Sequence, residues 1–265
     1  MSINIAPIAE TPASKSYSMM PPIFNLRSKV VAITGGSSGI GYATAALLVS
    51  QGARVAIMSN SSTKLSKAHA SLRDLCQDGG DILATRADVR KREEVDAWID
   101  EIAEKWGKLD GAVNMAGVIP KCIFTERVED LNDEDWQSVI DTNLTGTMHS
   151  MRAQIRQMNE KGSIVNASSI AGLGGFPRNA AYTVTKHGII GLTKTAAKEV
   201  GDRQIRVNCV APGIIDTEMH RESIRLRGGE ADYKIQIPRK GRAEEVAVLI
   251  AWLLCDASQY ITGTV

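Results

Sequence analysis

The stretch from Val30 to Tyr42 reads VVAITGGSSGIGY. An apolar run rich in β-branched side chains, Val30, Val31, Ile33 and Thr34, leads into glycines at Gly35, Gly39 and Gly41 and then a helical pattern from Ala43 to Val49. That order reads as strand, tight turn, helix. Glycine suits such a turn because a backbone without Cβ can bend sharply and lie against a phosphate. The free N–H groups and positive dipole end of the following helix then attract the anion. Ser37 and Ser38 lie inside the turn and Ile40 separates its last two glycines, so the pattern is TGxxxGIG rather than GxGxxG. A dinucleotide pyrophosphate is the occupant it suggests.

The rest of the chain has an ordinary globular composition: 265 residues, 43% hydrophobic, 23% charged, formal net charge +1. A chain of this length can bury one large core, so a single α/β domain is expected. Near-neutral charge argues against nucleic-acid or membrane-surface partners, and no run approaches the ~18 apolar residues of a spanning helix. Cys76, Cys122, Cys209 and Cys255 lack CxxC spacing, which points to a reduced, cytoplasmic setting without a disulfide framework or zinc site. His149, His187 and His220 have no carboxylate partner at metal-ligand spacing, and no metal is expected. Residues 1–28 hold prolines and serines and lack the cationic start of a secretory signal, so they read as a flexible arm before a domain over 29–265.

Strand and helix patterns alternate along that domain. The helix begun at Ala43 ends at Gly52; strands are expected over Arg54 to Met58, Asp81 to Ala87, Leu109 to Asn114, Gly162 to Ser168 and Gln204 to Val210. Helices are expected over Thr63 to Cys76, Lys91 to Trp106, Asp133 to Met158, Asn179 to Val200 and Ala243 to Asp256, the third changing character at Asp141-Thr142-Asn143. Repeated units of this length imply right-handed crossovers and a doubly wound parallel sheet. The ambiguous connection over 214–238 is a candidate lid.

Ligands of open α/β sheets sit beyond the carboxyl ends of the strands, which directs attention to Gly35 to Gly41, Ser59, Asp88, Asn114 to Gly117, Ser169 and Pro212-Gly213. At the end of the second strand, Ser59, Asn60 and Ser61 stand where a carboxylate would accept from a ribose 2′-hydroxyl. Without that carboxylate a 2′-phosphate is not repelled, and Lys64 is a nearby counter-charge, so NADP(H) is favoured and NAD(H) remains open. The same serines also suit a helix cap. Ser169 is followed by a helix carrying Tyr182 and Lys186, four apart and hence on one face. A cation beside a phenol favours the phenolate and makes a better acid–base at neutral pH.

With these residues in place, the sequence from Lys29 to Val265 resembles the classical short-chain dehydrogenase/reductase family. The matches are the glycine motif at Thr34, Gly35, Gly39, Ile40 and Gly41; the adenine-contacting Asp88, followed by Val89; Asn114-Met115-Ala116-Gly117 for NNAG, with Met115 for the second Asn; and YxxxK at Tyr182 and Lys186. The resemblance implies a Rossmann-type fold. It also implies a catalytic set of Asn143, Ser169, Tyr182 and Lys186, with Ser169 preferred over Ser168 because it lies thirteen residues ahead of the tyrosine. Pro212 and Gly213 would receive the nicotinamide near Ile214, and Thr217 would contact its carboxamide or the pyrophosphate. Family members continue past Ile261 to Val265 with the rest of a seventh strand, and pair two long helices into a homodimer or homotetramer.

The expected activity is reduction of a carbonyl to a secondary alcohol, Tyr182 giving the proton, Lys186 lowering its pKa and gripping the ribose, and Asn143 anchoring a water. Pocket walls are expected from Pro120 to Phe124, Ile170 to Phe176, Asn179 and the lid, with Lys121 and Arg178 as anion contacts and Cys122 as a passive wall. The alternatives are an NAD-dependent alcohol dehydrogenase and a non-redox binding protein on the same fold.

Overall fold

A computed structural model describes residues 25–77, 79–230 and 236–265. The apolar run opening the glycine stretch forms β1 (Val30–Thr34), buried along its whole length. Such a strand must be covered on both faces, as the centre of a parallel sheet is. It pairs in parallel with β2 (Arg54–Ser59) on one side and β4 (Leu109–Asn114) on the other. β3 (Asp81–Arg86), β5 (Met158–Ala167) and β6 (Arg206–Val210) complete a parallel sheet in the order β3-β2-β1-β4-β5-β6.

Alternate residues of the strands feed two cores. On one face Val31, Ile33, Val55 and Ile57 pack with α1 (Gly39–Ser50), α2 (Ser62–Arg73) and α8 (Ala243–Leu254). On the other, Val30, Ala32, Ala56 and Ala112 pack with α3 (Arg92–Trp106), α5 (Gly146–Gln157) and α6 (Ala180–Glu199), with Trp98 fully buried among them. This is the doubly wound single domain that the sequence leads one to expect.

Four details differ from the sequence reading. α1 starts at Gly39, so two of the turn glycines belong to its first turn. The long helix over 133–158 is α4 (Asp133–Val139), a π-helical turn (Ile140–Thr145) and α5, three consecutive pieces. Met158 belongs to β5: its backbone pairs with Leu109, and left-handed Lys161 (φ 63°) lies between that pairing and the next, Gly111 with Ser163. Within the candidate lid over 214–238, α7 (Glu218–Arg227) is helical, while 231–235 lie outside the described residues.

Most of the arm expected over 1–28 also lies outside them. Its last residues sit on the domain: Leu26 is buried in the first core and the Ser28 N–H donates to Gly52 O at 2.8 Å. At the opposite end, the Gly263 N–H donates to Val207 O and the Cys209 N–H to Thr264 O at 2.8 and 2.9 Å, so residues 261–265 run along the outer edge of β6.

Candidate active site

The strand order reverses between β1 and β4, and the crevice outside that switch point is where open α/β sheets bind ligands. A cleft of about 700 Å³ opens there. Gly35 has φ +66°, and a Cβ on it would lie 2.8 Å from Ala116 N; one on Gly41 would lie 2.4 Å from Gly35 O. Those neighbours are backbone and cannot yield, so only glycine permits the turn. Ser38, the N-cap of α1, makes no side-chain cap bond, leaving the first-turn N–H groups of Gly39, Ile40 and Gly41 for an anion in the cleft they line. This cradle and the elongated run of strand ends fit a dinucleotide.

Of the expected cofactor residues, Gly35, Ser37, Ser38, Gly39, Ile40, Gly41, Ser59, Asn60, Ser61, Asp88, Val89, Ala116, Gly117, Pro212, Gly213, Ile214 and Thr217 line the cleft. Asn114 does not. It is buried behind the wall, its Nδ2 donating to Gln154 Oε1 (3.0 Å) and Asn166 Oδ1 (2.9 Å), and so ties β4 to α5 and β5. Thr34 Oγ1 accepts from the N–H groups of Met115 and Ala116 at 3.1 and 3.2 Å, using bonds that a methionine at 115 does not disturb.

At the adenosine end, Ser37 Oγ donates to Ser59 Oγ at 2.9 Å and Ser61 caps α2 by accepting from the Lys64 N–H. The Arg90 guanidinium grips Asp88 at 2.5–3.0 Å and holds that carboxyl below the usual carboxylate range. Lys64 is engaged: its Nζ donates to both carboxylate oxygens of Glu218 on α7 at 2.7 Å.

At the other end, Ser169, Tyr182 and Lys186 line one stretch of cleft wall. Ser168 is turned inward, its Oγ donating to Lys186 O at 2.8 Å. Burial pushes the Tyr182 phenol up to about 12, against a smaller opposing pull from a hydrogen bond with Ser169. Burial here outweighs the acidification that the sequence leads one to expect from the neighbouring lysine. The Lys186 ammonium donates to Ala167 O at 2.8 Å and lies 5.3 Å from the Tyr182 ring centroid. Burial lowers its own pKa to about 8.

Asn143 is fully buried on the π turn, outside the cleft lining. Its Oδ1 accepts from the Val118 N–H at 2.7 Å, and its Nδ2 donates to Val118 O (2.9 Å) and Thr185 Oγ1 (3.3 Å). Both ends of the amide bond protein groups, so its side chain braces the site. The brace lies close to the lysine, since a Cβ on Gly117 would meet Asn143 Oδ1 at 3.2 Å and Lys186 Nζ at 4.0 Å.

The substrate end is walled by Ile119, Ile123, Phe124, Ile170, Phe176, Asn179 and Met219. Lys121 and Arg178 do not line it, contrary to the anion contacts expected; the Arg178 carbonyl instead accepts from the Phe124 N–H at 2.7 Å. Burial and the neighbouring Asp135 and Glu126 raise the Cys122 thiol to about 12, which keeps it protonated and inert. Sequence reasoning passed over Gln154, Thr185 and Glu218, because each acts on a partner at least 40 residues away and no local spacing marks it.

A family model described as enoyl-(acyl carrier protein) reductase matches residues 35–265. The chain is 47% identical over 242 residues to short-chain dehydrogenase/reductase aba4 of Botryotinia fuckeliana, covering 89% of this chain and 93% of that one. It is 34% identical over 254 residues to levodione reductase of Leifsonia aquatica, covering 92% and 94%. Among solved structures, an NAD+-bound xylitol dehydrogenase superposes with a TM-score of 0.84 at 31% identity, over 91% of this chain and 97% of that one. Likeness that runs from the glycine turn to the last residue, with close superposition on a solved structure, makes this chain a member of the classical short-chain dehydrogenase/reductase family, oxidoreductases that work with a nicotinamide cofactor.

Proposed function

We propose that this protein reduces a ketone to a secondary alcohol with NADP(H), Tyr182 acting as the acid. The observation that carries the reading is the convergence of Ser169, Tyr182 and Lys186 on the cleft that holds the glycine turn. When bound, the nicotinamide supplies a hydride, and the remaining work falls to the chain's own groups. Ser169 hydrogen-bonds the substrate oxygen and fixes the carbonyl against the wall. A phenol held at about 12 is protonated at neutral pH, so Tyr182 gives its proton to that oxygen as negative charge develops there. Lys186 grips the ribose hydroxyls and steadies the phenolate left behind, while Asn143 positions the lysine's surroundings.

The apolar walls suit a ketone on a hydrophobic skeleton, and a relative named for reducing levodione supports the direction. The absence of a carboxylate at Ser59 favours NADP(H). A homodimer or homotetramer in the cytoplasm, its four cysteines outside any disulfide, completes the reading.

Tyr182→Phe is expected to lower NADPH-dependent reduction across a ketone panel by at least about 10²–10⁴-fold, while NADPH fluorescence still reports binding. Turnover retained near the wild-type rate refutes the assignment. One observation favours a second reading, NAD+-dependent alcohol oxidation: Lys64 is already neutralised by Glu218. NADH binding much tighter than NADPH binding would establish it.

A further inference from the structure

The first turn of α2 holds no acidic residue and carries Lys64, a cation placed against the helix dipole. That arrangement makes electrostatic sense when an anion is present. One is: the Glu218 carboxylate, 154 residues further along the chain, takes the ammonium through both oxygens at 2.7 Å. Both side chains are about half exposed, 48% and 57%, so the pair is solvated and weak. Both also line the cleft together with Ser59, Asn60 and Ser61. Thr217, the residue before Glu218, brings its methyl within 3.4 Å of where a Cβ on Gly39 would stand, so the lid enters directly over the glycine turn.

We propose that Glu218 is a built-in competitor for the cofactor's 2′-phosphate. Lys64 is shared between the lid carboxylate and the adenosine ribose. It stays with Glu218 when the ribose carries a 2′-hydroxyl and transfers to the phosphate when there is one, since a phosphate bears more charge and more acceptor oxygens than a carboxylate. The residue that sets cofactor preference is therefore split across the molecule, a cation on α2 and its mask on α7. This inference rests on the NADP(H) reading above. It goes beyond that reading by assigning discrimination to a lid residue.

Fluorescence titration of the full chain with NADPH and with NADH tests both ideas separately. Glu218→Gln should tighten NADPH about two- to five-fold, the range expected for releasing one exposed ion pair, and should move NADH much less. Lys64→Gln should weaken NADPH selectively, and in that background Glu218→Gln should have no further effect. If wild type binds no NADPH, the cofactor reading falls and this inference with it. If wild type binds NADPH but Glu218→Gln shifts both cofactors equally, or its effect survives Lys64→Gln, the inference alone is overturned. The same holds if Lys64→Gln leaves NADPH affinity intact, which would hand the phosphate to Arg90 beside Asp88. Both positions are solvent-facing, and matched thermal melts separate a binding effect from misfolding.

Discussion

Lys186 is 5% exposed, and its ammonium donates to a backbone carbonyl, Ala167 O. Burial disfavours the charged form and outweighs an opposing pull from Cys209, hence its fall to about 8. Tyr182 shifts the other way for the same reason, because burial penalises the phenolate. The sign of the pH profile follows. Below about 8 the lysine is charged and the tyrosine protonated, the state that reduction needs; above it the ammonium is lost first. We expect kcat/KM for reduction to be level near neutrality and to decline above about pH 8, approaching tenfold per unit. Lys186→Arg should move that limb to higher pH, because a guanidinium stays charged. A profile flat to pH 10 would show that the lysine's charge does not matter.

At the scale of elements, the π turn between α4 and α5 is the piece that brings Asn143 under the loop after β4. Widening a helix by one residue per turn breaks its 3.6-residue register, and such turns recur at functional sites. Here it lets one amide join Val118 to Thr185 on α6, and so joins the glycine side of the cleft to the helix carrying Tyr182 and Lys186. Asn143→Ala removes every one of those bonds and leaves the Val118 N–H and C=O groups without their partner. We expect urea unfolding to register a loss of about 1–3 kcal/mol and kcat to fall more than KM rises. A variant of unchanged stability would show that the brace is dispensable. Asn114 performs the parallel task one strand deeper, in a buried chain of amides that reaches Thr193 on α6 through Asn166.

For the molecule as a whole, six parallel strands in the order β3-β2-β1-β4-β5-β6 gather into one crevice residues that lie up to 188 positions apart in the chain, from Gly35 to Ser223. The long helices α4–α5 and α6 lie on one face of this sheet, and the family resemblance pairs them across a two-fold axis. Light scattering should accordingly report a dimer or tetramer, and a monomer at micromolar concentration would contradict the assembly. No helix among the described residues is long and apolar enough to cross a membrane.

What was legible beforehand is local in its physics. The glycine turn declares itself because a tight bend beside a strand excludes a Cβ, the strands because parallel pairing buries both faces, and the Tyr182–Lys186 pair because helical pitch sets two residues four apart on one face. What only the tertiary structure decided depends on atoms from remote elements meeting in space. Burial raised the Tyr182 phenol where the neighbouring lysine alone suggested the reverse; Asn143 turned its amide to Val118 and Thr185; and Glu218 crossed the cleft to Lys64. Solvent exclusion and long-range pairing are properties of the packed chain, and no short window of residues contains them.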